Sequence, residues 1–250
     1  MARLTTWWKL GAAALFVASA APTVVADVLG GDFRVSYWNA NTDGDLNSGG
    51  AVLDFERDLN ADDTSALELS ASLEHPLPFL PNIRLTHISL DDDFNGDFTG
   101  GFDGQSYSGA VTTSLDMSNT GLTLYYEVLD NIVSADIGID VRRFDGELRI
   151  QDNADPSQLS LIDLDETIPL LYAGARVDLP FTGLSVGADL SGLKVSDNQL
   201  TDAKIHVRYD ISLLFIEAGY RVLSVDLDDI DGTDVSADLN GVFISSGIDF

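Results

Sequence analysis

The sequence predicts an all-β protein, an antiparallel transmembrane β-barrel of about 12 strands, with 10 as the alternative count, behind a cleaved N-terminal signal peptide. Three observations predict it. Apolar and polar residues alternate with period two along most of the chain. No segment after Ala26 has the length and apolarity of a membrane helix. The chain ends inside a strand-like run, GVFISSGIDF, whose last residue is Phe250.

The N-terminus comes first. MARLTTWWKL carries Arg3 and Lys9 and no acid, and the apolar, small-residue stretch GAAALFVASAAPTVVA follows. Val24 and Ala26 give an A-x-A-like cleavage site before Asp27. A charged start, a short apolar middle and small residues at the cut are the marks of a secretory signal peptide. Pro22 interrupts the stretch, which is short of the roughly 20 residues that a spanning helix needs. The expected organisation is a signal peptide at 1–26 and one barrel domain at 27–250. Cleavage removes two of 13 basic residues and none of 41 acidic ones, so the mature charge is 11 − 41 = −30. Such an acidic chain repels phosphate backbones, which excludes nucleic acid as a partner. Three histidines and no cysteine leave little for a zinc or iron centre.

The mature chain repeats one pattern. In SALELSASLEH, Leu67, Leu69, Ala71 and Leu73 share a face opposite Glu68, Ser70, Ser72 and Glu74. In TDAKIHVRYDI, Ala203, Ile205, Val207, Tyr209 and Ile211 oppose Asp202, Lys204, His206, Arg208 and Asp210. A side chain every 180° is a strand with one apolar and one polar face. Turn signals separate the runs: HPLPFLPN, SNTG, FDG and FTG, and longer acidic, glycine-rich segments such as DDDFNGDFTGGFDGQ. Thirteen candidate strands start near residues 31, 50, 65, 82, 106, 121, 132, 146, 168, 183, 200, 213 and 235. Two runs change apolar parity partway, at Ile83 to Leu90 and at Leu184 to Val195, which predicts a bulge in each.

Alternation alone fits a soluble sandwich as well as a membrane barrel. The polar faces favour the barrel. They carry both signs of charge, with Arg34, Arg84, Arg142, Arg149, Arg176 and Arg221 against Glu68, Glu127, Asp136, Glu147 and Glu217. In a narrow lumen such charges pair across the space, where an unpaired charge is costly. Asp202, Lys204, His206, Arg208 and Asp210 are expected to form one such lumen cluster. A bacterial barrel has an even strand count and both chain ends on the periplasmic side. Thirteen candidates break that parity, hence the expectation of 12 or 10.

Two resemblances follow. The closing run, with Val242, Ile244, Ile248 and Phe250 on one face, resembles the C-terminal sorting signal of bacterial outer-membrane barrels. That resemblance implies that Ile248 and Phe250 are read by the barrel-assembly machinery. The blocks EHPLPFLPNIRL, LTLYYEVLDN, PLLYAGARVDLPFTGLSVGA and GYRVLSVDLDDID are similar to those of an uncharacterised family of Gram-negative outer-membrane β-barrel proteins. This implies a barrel fold and a cell outer-membrane location, and brings no activity or catalytic residue with it.

Function is less legible. There is no phosphate loop and no H-E-x-x-H. The leading expectation is a structural or small-solute pore barrel without a catalytic role. The rival is a lipid-modifying enzyme. His87-Ile88-Ser89 resembles the His-x-Ser of outer-membrane lipid A deacylases, in which a histidine can deprotonate a neighbouring serine. Residues two apart on a strand are about 6.5 Å apart along it, and no acid partner for His87 is evident. Acidic loops offer oxygen ligands for a divalent cation such as calcium at Asp91, Asp92, Asp93 and Asp97, and at Asp228, Asp229 and Asp231. Neither set matches an EF-hand, and clustered like charge is more often a solvated loop. No prosthetic group is expected. The expected partners are outer-membrane lipid, lipopolysaccharide and, during biogenesis, the assembly machinery, with the barrel itself a monomer.

Overall fold

The structure, a computed structural model, describes residues 29–250 except 62, 78, 231 and the side chain of Asp229. The signal peptide lies outside the described residues.

Fourteen strands, all paired antiparallel, build the described chain: β1 (Asp32–Ser48), β2 (Ala51–Asp54), β3 (Asp63–Leu73), β4 (Asn82–Phe102), β5 (Gln105–Asp116), β6 (Asn119–Asp130), β7 (Val133–Phe144), β8 (Glu147–Asp152), β9 (Leu159–Asp163), β10 (Thr167–Leu179), β11 (Leu184–Val195), β12 (Asn198–Ile211), β13 (Leu214–Ile230) and β14 (Thr233–Asp249). Ten of them close a barrel in the order β1, β3, β4, β6, β7, β10, β11, β12, β13, β14. β14 then returns to β1 along its whole length, from Asp32 opposite Asp249 to Ser48 opposite Thr233, so the wall has no free edge. The wall thus has ten strands, and the count of 12 is corrected. The reason is physical. The candidate strands near 50, 106 and 146 are β2, β5 and β8, which alternate like wall strands and stand above the wall.

These extra strands continue the wall upward. β4 pairs β3 and β6 through its first nine residues, then pairs β5 through Asp91 to Phe102. β5 pairs β8, and β8 pairs β9. β5, β8 and β9 therefore stand above β6, β7 and β10, offset by short breaks at 117–118, 145–146 and 164–166. β2 pairs the far end of β1, and the loop after it turns back over the mouth. There Phe55 and Leu59 are buried, and the amide of Asp97 donates to the carbonyl of Asp58 at 3.0 Å. Gly96 permits that approach: a Cβ at this position would meet the Asp58 carbonyl and come within 2.5 Å of the Leu59 Cα.

The apolar and polar faces divide as a membrane barrel requires. Outward residues such as Leu69, Leu124, Ile139, Val207, Ile216 and Ile244 are exposed. Inward residues of the lower wall are mostly charged or polar, with the buried rings of Phe215 and Phe243 packed among them. A closed sheet satisfies every backbone group internally, and an apolar exterior is stable only in hydrocarbon. The chain is a transmembrane β-barrel of the outer membrane. Its chain ends lie at the short-turn end, which is the periplasmic side, and its upward extension lies at the external side.

The two predicted bulges are absent. β4 and β11 keep unbroken register through both stretches. Ile88 and Leu90 point inward on the same side as Arg84 and Thr86, and Leu193 on the same side as Asp189. The parity changes because the interior changes from polar to apolar at this height. Register shifts occur instead between Glu127 and Leu129 and between Leu227 and Ile230.

Candidate functional site: the barrel interior

The lumen has three levels. At mid-height a lattice of charges crosses it. Arg221 of β13 is 2% exposed and holds two acids, one on the adjacent strand and one across the lumen. Its Nε and one terminal nitrogen donate to Asp202 of β12 at 2.8 and 2.6 Å, and the other terminal nitrogen donates to Glu68 of β3 at 2.9 Å. Arg142 of β7 donates to Asp202 at 2.7 Å and to Asp140 at 2.8 Å. Lys204 donates to both oxygens of Glu68 at 2.8 and 2.7 Å. The Arg221 guanidinium also stacks 4.6 Å from the Trp38 ring centroid. Three cations meet three acids, so the lattice is neutral. Forked arginine–carboxylate pairs of this kind fix geometry as well as charge. The remaining space at this level is a cavity of about 60 Å³.

Above the lattice the interior is apolar. Trp38, Ala40, Leu200, Leu223, Val225 and Leu239 face inward from the wall and are buried. They merge with the core beneath the extension, which includes Leu46, Phe55, Phe94, Phe98, Val111 and Ile150. Each such side chain contributes about 1.5–3 kcal/mol on burial, so the extension is a packed cap rather than a set of mobile loops. Its polar turns are locally tied. Asp152 accepts from the amides of Ser108, Asp155 and Ala154, and these bonds hold its carboxyl below the usual carboxylate range.

Below the lattice a vestibule of about 870 Å³ opens at the periplasmic end. Arg84 donates to the Tyr172 hydroxyl at 3.0 Å, with its guanidinium 5.1 Å from the Tyr125 ring and 5.5 Å from the Tyr172 ring. His206 stands between Asp189 at 3.8 Å and Glu217 at 3.7 Å. Arg208 pairs with Asp210 and with Asp249 near the chain end.

The structure therefore brings the expected lumen cluster to one face of β12 and spreads it over the levels. Asp202 and Lys204 join the central lattice, His206 lies lower, and Arg208 and Asp210 sit at the rim. The partners that complete the lattice, Arg221, Arg142 and Glu68, were also among the polar-face charges in the sequence. Arg149 and Glu147 are corrected from lumen to cap, since both lie on β8.

His87 and Ser89 face outward on β4. The His87 Nδ1 lies 3.0 Å from the Thr120 hydroxyl, and among the described contacts none joins it to Ser89 or to a carboxylate. Asp91, Asp93 and Asp97 lie on the outer face of β4, where Asp93 accepts from the Ser114 hydroxyl at 2.6 Å. Asp92 accepts from the Asp93 amide at 2.9 Å, and the Asp228 amide donates to Asn198 at 2.7 Å on the distant β13. Asp231 and the Asp229 side chain lie outside the described residues. Among the described residues no group of three or more His, Asp or Glu is placed to hold a metal ion. Asp91, Asp116, Glu147 and Asp163 form a row in direct register across β4, β5, β8 and β9, a feature that sequence spacing did not show.

Ile248 and Phe250 sit at the closure. Ile248 is opposite Phe33 on β1 and Leu214 on β13, facing outward. Phe250 and Gly31 exchange both backbone hydrogen bonds at 3.0 Å.

No family model and no curated protein matches the chain. Solved structures do. The outer membrane protease OmpT of Escherichia coli is 8% identical with a TM-score of 0.44, covering 92% of this chain and 98% of that one. The translocator domain of the autotransporter NalP of Neisseria meningitidis is 12% identical with a TM-score of 0.38, covering 86% and 88%. A FadL homologue of Pseudomonas aeruginosa is 10% identical with a TM-score of 0.35, covering 90% of each chain. The chain is similar to these in outline; its assignment as a membrane barrel stands on its own closed wall and divided faces.

Proposed function

We propose that this chain is a structural outer-membrane barrel that does not conduct solutes. The observation that carries the reading is the Arg221 lattice, which joins β3, β7, β12 and β13 across the lumen beneath a buried apolar layer. A solute passing through would have to strip paired charges and open a packed core, and each buried pair broken costs several kcal/mol. This reading takes the structural half of the sequence expectation and gives up the pore half. On it, the partners are outer-membrane lipid and lipopolysaccharide around the wall and the assembly machinery during biogenesis, and the barrel works as a monomer. Liposome swelling tests it. Vesicles containing the refolded protein should not swell in small sugars or amino acids, and swelling above empty vesicles would overturn the reading.

The lipid-modifying alternative keeps one point of support, the outward-facing position of His87 and Ser89. It lacks an acid to orient the histidine. An unchanged lipid A profile in Ser89→Ala cells would end it.

A further inference from the structure

The periplasmic end of the barrel is apolar to its tips. Phe79 in the β3–β4 turn is 90% exposed. Phe181 in the β10–β11 turn is fully exposed, and Ile132 and Leu213 stand exposed in the other two turns. Phe250 and Leu29 add the two ends of the described chain. Every turn at this end thus presents an apolar tip. The charged residues nearby turn the other way: Asp32, Asp130, Asp136 and Asp249 line the vestibule.

The height of the lipid belt shows what these tips are for. On β7, β10, β12 and β13, five successive outward positions are apolar, for example Val133 to Val141 and Leu214 to Val222. With about 3.3 Å per residue and a tilt of about 40°, they span about 20 Å of bilayer height, while an outer-membrane barrel's apolar band is about 25 Å. The belt cannot grow toward the outside, where Arg143, Thr201 and Ser224 take the next outward positions. It can grow only toward the periplasm, and there the apolar tips extend it, each beside a single uncharged polar residue in the three short turns, Asn131, Thr182 and Ser212. The proline-rich turn also leans onto the lipid side: the Tyr126 hydroxyl of the outer wall donates to the Phe79 carbonyl at 3.3 Å.

We propose that the periplasmic turns are embedded in the inner leaflet of the outer membrane, with Phe79, Ile132, Phe181 and Leu213 contacting phospholipid. The barrel sits low in the bilayer, and its vestibule opens at the level of the inner head groups rather than in the bulk periplasm.

The absence of cysteine lets single labels be placed cleanly. Spin labels at Phe181→Cys and Leu213→Cys in phospholipid vesicles should show the oxygen-over-nickel accessibility of a label at Val207→Cys in mid-belt. A label at Asp103→Cys on the cap should show the reverse. Folding of each variant is checked by heat-modifiable migration. Phe79→Trp gives a second readout without a label, and bromolipid should quench its added fluorescence. If the turn labels read like Asp103→Cys while Val207→Cys reads as lipid, or if bromolipid leaves Phe79→Trp unquenched, the tips face water or a protein partner and the proposal fails.

Discussion

Arg221 shows how one residue can hold the interior together. It is buried, it bonds one acid on the neighbouring β12 and one on β3 across the lumen, and its plane rests on Trp38. Truncating it leaves Asp202 and Glu68 short of a partner in a low-dielectric space. Arg221→Ala should therefore cost about 3–5 kcal/mol in urea unfolding of the refolded barrel. Arg176→Ala should leave the midpoint near wild type, because its pair with Asp178 is about half exposed and surface pairs contribute little. The role proposed for Phe250 belongs to a different step. Its backbone bonds to Gly31 finish the last strand, and its ring stands exposed at the periplasmic rim. Deleting it should lower the yield of heat-modifiable barrel in cells; a normal yield would remove its assembly role. The charges of the lattice were legible in the sequence as polar-face residues of alternating strands. Their pairing was not, because partners such as Glu68 and Arg221 are 153 residues apart.

At the level of elements, period two located thirteen of the fourteen strands, since side chains must alternate wherever a sheet divides two environments. It missed β9, a five-residue strand behind a polar turn. It could not say which strands form the wall, because β5 and β8 also bury one face, in the cap rather than in the lumen. The parity changes at Ile88 and Leu193 held that information. They mark the height at which an inward position stops being polar, and a bulge is the other cause of the same pattern. The cap predicts a separable effect. Ile150 is fully buried in the middle of β8, so Ile150→Ala should cost the cap about 2–5 kcal/mol. Limited proteolysis should then cut between residues 91 and 163 while the barrel still migrates as folded. Loss of the whole barrel instead would show that cap and wall fold as one unit.

The whole molecule is a barrel filled from the outside inward: cap core, apolar upper lumen, ionic lattice, then an open vestibule. At ten strands the lumen is narrow enough for side chains to fill it, whereas porins of 16 or more strands keep an aqueous channel. The apolar turn tips place the open end against the inner leaflet. Strand count, closure and filling together argue for a barrel that holds position in the membrane and passes nothing through it. The most direct test is planar-bilayer recording of the refolded protein at both polarities. The closed lumen predicts a silent baseline in wild type. Steady unitary currents from wild-type barrels would contradict it.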